Sequence, residues 1–244
     1  LTGNIPSGAK TVRWTYAPQY GGSVLRLHRA GASEVIGTWV REGEASTTYP
    51  LAGDVAASTR SAVFGQYLVL GFTHILPKGL DHILFVVGLF LLSRELKPLL
   101  FQVTAFTCAH TLSLALSMFG VVSLSPRIVE PAIALSIVFV AMENVLVKKL
   151  HPWRIAVVFA FGLLHGLGFA GVLTELGLPR GQFVPALLSF NVGVEGGQLA
   201  VLLTAFAAVG VWAGTKPWYR ARVTVPASLA IAAVGLFWAV QRVL

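Results

Sequence analysis

Four histidines and a glutamate fall inside long apolar runs of this chain. His74 and His82 lie in "GFTHILPKGLDHILF", His110 in "FTCAHTL", His165 in "FGLLHGLGF" and Glu195 in "FNVGVEGGQ". Imidazole and carboxylate are ligands for zinc, nickel, cobalt, iron or manganese. With two methionines and one cysteine, the chain lacks the soft sulfur ligands of a copper(I) relay. Asp81 adjoins His82, and on a continuous helix His74, Asp81 and His82 would share one broad face. By position along their runs, His82, His110, His165 and Glu195 are able to converge near the middle of a bilayer, each from a different span. His74 is then a ligand nearer the outside, and Asp81 a ligand or the orienting partner of a histidine.

Each of these residues also has a plainer reading. An aspartate beside histidines orients or pairs with one of them, and a histidine between glycines bonds a neighbouring carbonyl. Thr104, Thr107 and Thr111 recur at helical spacing, which suits helix-to-helix hydrogen bonding. Asn191, Glu195 and Gln198 project from one helical face. Glu143 and Asn144 lie near the end of their run, where Glu143 either pairs with Lys148 or Lys149 or lines a path. Thr107, Glu143, Asn144, Asn191 and Gln198 are therefore expected to support the ligands or line the route to them. Cys108 is read as packing.

The elements that must carry these residues are membrane helices. Of 244 residues 55% are hydrophobic and 11% charged, and the mean hydropathy is +0.75, whereas a soluble domain carries about 25% charged residues. Apolar runs predict spans near 64–93, 98–120, 127–147, 154–174, 184–212 and 223–243. The first is long for one crossing, and Pro77-Lys78-Gly79 breaks it. The expected fold is an all-α polytopic membrane helix bundle of six to seven membrane segments, the first one broken. Alternate links hold Arg94, Lys97, Lys148, Lys149, Arg154, Lys216, Arg220 and Arg222, and the opposite set only Arg127, Arg180 and Arg242. That bias puts the first set in the cytoplasm. The net charge of +8 thus orients the chain in its membrane and calls for no nucleic acid.

Residues 1–61 differ in kind. They hold ten of the 28 charged residues, and "KTVRWTYAP" alternates so that Val12, Trp14 and Tyr16 share a side. "GGSVLRLHRAG" and "SEVIGTWVREG" read as further short strands. The chain begins at Leu1 rather than Met, and 1–61 is read as a small extracytoplasmic β segment, the end of a larger domain, ahead of a helical domain at 62–244.

Five motifs in order, "GFTHILPKGLDHILFVVGLFLL", "VTAFTCAHTLSLAL", "IALSIVFVAMEN", "FGLLHGLGFA" and "FNVGVEGGQ", resemble the HupE/UreJ family of bacterial membrane proteins over residues 64–200. The resemblance implies a multi-pass protein of the bacterial inner (plasma) membrane. It also implies a nickel or cobalt permease, or an accessory of metalloenzyme maturation. Carried onto this chain, the family's metal-recognition motif marks His74, Asp81 and His82, with His165 in the later His-Gly motif. The leading expectation is a permease for a divalent transition metal, nickel, cobalt or zinc, with no nucleotide-binding motif to power it. Three alternatives stand beside it. One is a non-transporting accessory subunit that docks a membrane or extracytoplasmic protein partner. Another is an intramembrane zinc hydrolase with Glu195 or Glu143 as base. The third is a haem protein with His110 and His165 as axial ligands.

Overall fold

The computed structural model describes residues 6–17, 19, 23–28, 35–40, 43–46, 48–51, 60–93, 95–176 and 182–244. Arg94 and Arg180, counted above for orientation, and much of 1–61 lie outside the described residues. The chain divides into two compact units, residues 1–63 with 172–183, and residues 64–171 with 184–244.

The first unit holds two small antiparallel pairings. β1 (Thr11–Val12) pairs with β4 (Tyr49–Pro50), and β2 (Ser23–His28) with β3 (Val35–Val40) in a register running from Ser23↔Val40 to His28↔Val35. Ser46 extends the first pairing: its amide donates to the Trp14 carbonyl at 2.7 Å, and its hydroxyl accepts from the Trp14 amide at 2.8 Å. The Trp14 and Tyr16 rings, just beyond β1, stack with centres 6.2 Å apart.

Helices make up the second unit and its margins: α1 (Arg60–Ile75), α2 (Leu80–Leu92), α3 (Leu96–Met118), α4 (Pro126–Leu146), α5 (Arg154–Leu176), α6 (Phe183–Ala213) and α7 (Arg220–Gln241). Among the described residues five of these are long and apolar enough to cross a membrane, and six spans result if α1 and α2 count as one. The later helices coincide with the hydropathy-derived spans to within three residues. Two π turns, Phe206–Gly210 within α6 and Arg220–Thr224 opening α7, have no counterpart in the sequence reading. Large apolar side chains such as Phe101, Leu135, Leu188 and Phe237 face outward, while His110, Asn144, Ser189, Gln198 and Ser228 are fully buried. Polar groups inside and hydrocarbon outside is the arrangement a bilayer demands. The protein is a multi-pass membrane protein with a helical bundle.

Between α1 and α2 the axis turns by 68°. Pro77 supplies no amide there, and a Cβ on Gly79 would collide with the His74 carbonyl. The broken first segment expected from Pro77 and Gly79 is thus present, and it delivers His74 and His82 from two helix ends that face one another. Elsewhere a glycine ends a helix. Gly120, at φ 71°, follows α3 and donates to the Ser117 carbonyl at 3.0 Å, closing the last turn.

Glycines also set how closely the helices approach. Gly162 and Gly166 of α5, one turn apart on the same face, lie over the Phe106 and His110 carbonyls of α3. Gly71 of α1 lies over the Phe190 carbonyl of α6, and Gly193 of α6 over the Leu68 carbonyl and Phe72 amide of α1. Gly235 brings α7 against the Ala134 carbonyl of α4. Small residues at such crossings let backbones meet, and association in lipid depends on that close packing. Gly193→Leu should therefore lower the thermal unfolding midpoint in detergent by about 3–10 °C, an overpacking cost of about 1–3 kcal/mol. Gly196→Ala, whose added Cβ meets only a Phe72 ring carbon at 3.8 Å, should leave the midpoint unchanged or raise it.

Candidate metal centre

His74 ends α1, His82 lies in the first turn of α2, His110 sits midway along α3 and His165 midway along α5. Ring nitrogens of His74, His82 and His110 all lie within 4.8 Å of one another. His165 joins them through His82, the two ring centres being 4.7 Å apart. A tetrahedral zinc-like ion with bonds of about 2.0–2.1 Å separates its nitrogen ligands by about 3.3 Å. The observed spacing is wider than that by about 1.5 Å at most among His74, His82 and His110.

The hydrogen bonds behind the imidazoles decide which nitrogens face inward. The Asn191 amide donates its N–H to the Leu187 carbonyl at 2.8 Å, so its Oδ1 is the acceptor toward His110 Nδ1 at 3.1 Å. His110 therefore carries its proton on Nδ1, and Nε2, buried and without a partner, keeps a free lone pair. Ser136 solves the same problem for His165. Its single hydroxyl proton goes to the Ile133 carbonyl at 2.7 Å, so its oxygen accepts from His165 Nε2 at 3.2 Å. His165 Nδ1 is left buried with a free lone pair. Nε2 of His74 and of His82 is likewise buried without a partner. These orphaned acceptors fit a cation and would be costly with nothing to bond.

Aromatic rings wall the group. Phe169 lies 4.0 Å from His74, Phe106 lies 5.0 Å from His165 and 5.7 Å from His82, and Phe190 stacks on His110 at 6.3 Å. They fix ring positions and lower the local dielectric.

The other anticipated residues fall around this cage. Both Asp81 oxygens lie 3.0 Å from Arg242 Nη2. Glu195 accepts from the Thr104 hydroxyl at 2.7 Å, leaving its Oε2 buried and unpartnered. Gln198 accepts from Thr107 at 2.9 Å, one rung of a polar ladder between α3 and α6 that includes His110–Asn191. Neither Asp81 nor Glu195 belongs to the group of convergent nitrogens. Glu143 meets Arg154 at 3.1 Å rather than Lys148 or Lys149. Asn144 donates to the Gly88 carbonyl at 2.8 Å and to Ser228 at 3.2 Å, while its own oxygen faces Arg154. This second cluster fastens α2, α4, α5 and α7 together. Cys108 is exposed rather than packed.

Sequence reading missed Ser136, Arg154 as a buried cation and Arg242 as the partner of Asp81. A serine alone in the apolar run "IALSIVF" was the available signal for the first. The arginines had been counted only for orientation. With ¹⁵N-labelled histidine, His110 should appear in nuclear magnetic resonance spectra as the neutral Nδ1–H tautomer and His165 as Nε2–H. Asn191→Leu should shift only His110 toward the other form.

Comparison with known proteins places these observations in a lineage. The family model described as HupE / UreJ protein matches residues 52–242, which includes the four histidines, both ion pairs and all seven helices in whole or large part. No curated protein and no solved structure matches the chain. The chain belongs to the HupE / UreJ protein family.

Proposed function

We propose that this protein is a permease for a divalent transition metal of the nickel or cobalt class, with zinc as the competing identity. The imidazoles of His74, His82, His110 and His165 form its mid-membrane site. One observation carries this reading: partnerless ring nitrogens of His74, His82 and His110 converge from three helices in the interior of a multi-pass protein, with His165 against His82. A bundle needing only helix-to-helix glue would pair those nitrogens. Family membership supports the same class of cargo.

In this reading the ion is substrate. It exchanges hydration for imidazole nitrogens, which suit nickel, cobalt and zinc and not magnesium or calcium. Asn191 and Ser136 hold His110 and His165 in the ligating tautomers. On this reading Asp81 and Glu195 serve as carboxylates along the route, and Thr107 and Gln198 line it. Release follows when the site opens or protonates, because imidazole must be neutral to ligate. The excess of Lys and Arg in one set of links supports a translocated N-terminal segment, 1–61, and placement in a bacterial inner membrane. The helical domain would begin at about residue 62.

The test is metal content by plasma mass spectrometry on detergent-purified protein, with uptake into proteoliposomes. Near-stoichiometric nickel, cobalt or zinc is expected, falling at least tenfold in His82→Ala and in His110→Ala, as expected for a lost ligand. Binding should hold from pH 8 to 6 and be lost only on stronger acidification, when protons compete for the same nitrogens. Folded protein that holds none of the three ions after loading would end the proposal.

A further inference from the structure

Two ion pairs lie near opposite ends of α7, and they differ in character. Glu143–Arg154 is sealed, its side chains 6% and 1% exposed, and Arg154 is also held by Asn144. Asp81–Arg242 is open, at 26% and 23%. Asp81 immediately precedes His82 in the first turn of α2, so the pair borders the helix end that carries one of the four imidazoles. The open pair therefore adjoins the imidazole group along α2 and, unlike the sealed pair, lies within reach of a dissolved cation.

Arg242 also has partners that do not depend on Asp81. Its Nη1 donates to the Glu130 carbonyl at 3.1 Å, and its guanidinium lies 5.5 Å from the centre of the Trp238 ring. A guanidinium with a carbonyl and an aromatic face at hand loses little when its carboxylate turns away. Asp81 has no comparable second partner in these contacts, and its anionic oxygens attract any divalent ion that approaches.

We infer that Arg242 is a displaceable counter-ion: it holds Asp81 between cargo ions and yields it to a divalent cation on the way to the imidazoles. The inference rests on the permease reading and assigns that site its access control. No bond is made or broken apart from ligation. Arg242 stays protonated throughout and remains on Glu130 and Trp238, while Asp81 passes from guanidinium to metal. Until that exchange occurs, Arg242 neutralises a carboxylate that would otherwise gather other cations. It also lowers the apparent affinity, because only molecules with Asp81 free are fully competent to bind.

The experiment is Ni²⁺ binding by equilibrium dialysis of the full chain in detergent. Arg242→Gln should bind Ni²⁺ about tenfold more tightly, as for a wild type with Asp81 free in about a tenth of molecules. Arg242→Lys should fall between the two. Asp81→Asn/Arg242→Gln should bind no more tightly than Asp81→Asn, because the gain acts through the carboxylate. An arginine that is only a strut predicts a lower unfolding temperature with equal or weaker binding. In wild type, labelling of Arg242 by phenylglyoxal, read by mass spectrometry, should rise on Ni²⁺ loading, and this measurement needs no variant to fold. Unchanged or weakened affinity in folded Arg242→Gln, or labelling indifferent to Ni²⁺, overturns the inference. If wild type binds Ni²⁺ through His82 while Arg242→Gln binds it equally well, the counter-ion role alone falls. If neither protein binds Ni²⁺, Co²⁺ or Zn²⁺, the permease reading falls with it.

Discussion

The rest of this structure depends on keeping imidazole nitrogens in an apolar interior with their lone pairs unspent. An unsatisfied buried polar group costs about 1–3 kcal/mol, and four histidines each present one partnerless ring nitrogen. Such a set survives only if the surrounding helices are held by other interactions strong enough to forbid rearrangement. That requirement explains why the glycine crossings and the second polar cluster sit where they do. Gly166 follows His165 directly and lies over the His110 carbonyl, so one close approach fixes two of the imidazoles. Gly71 lies three residues before His74 and rests on α6 beside Asn191, the residue that orients His110.

The break in the first span serves the same end by a different route. A straight helix through residues 64–93 would hold His74 and His82 two turns apart, roughly 12 Å along the axis. Pro77 and Gly79 interrupt the ladder, α2 turns away by 68°, and the two rings come to 4.8 Å. Unpaired backbone at such a break is tolerated in membranes where protein surrounds it. Here the local loss of helix is what brings the two imidazoles together.

Much of this was legible from residue types alone. Runs of apolar residues gave the helices nearly to the residue, and Pro77-x-Gly79 gave the interruption. The histidines were identifiable because a buried imidazole is rare enough to need a reason. Direction around a helix was harder to read than depth along one. Glu195 lies one turn beyond Asn191 on the same face, so counting residues brought it to the histidines. In the fold Asn191 takes the place beside His110, and Glu195 bonds Thr104. Ion pairing was illegible for a related reason. Asp81 and Arg242 are 161 residues apart, and only the packing of α7 across α2 and α4 brings them together. Charge counting treated Arg154 as a loop cation near the interface, yet it is 1% exposed.

Charge balance finally separates a site that passes ions from one that keeps them. Structural zinc sites commonly neutralise their metal with thiolates, which makes the ion part of the fold. The cage here offers neutral imidazoles, and the two nearest carboxylates are already engaged, Asp81 by a guanidinium and Glu195 by a hydroxyl. A divalent ion entering it keeps most of its charge in a low-dielectric setting, where an uncompensated charge is unfavourable. Imidazole ligation would offset part of that penalty and select borderline metals without adding an anionic ligand to the hold. On the permease reading this is what passage requires, since a cation must be recognised at mid-membrane without being stored there. On that reading the arginine beside Asp81 and the threonine beside Glu195 keep two further anionic ligands from the ion.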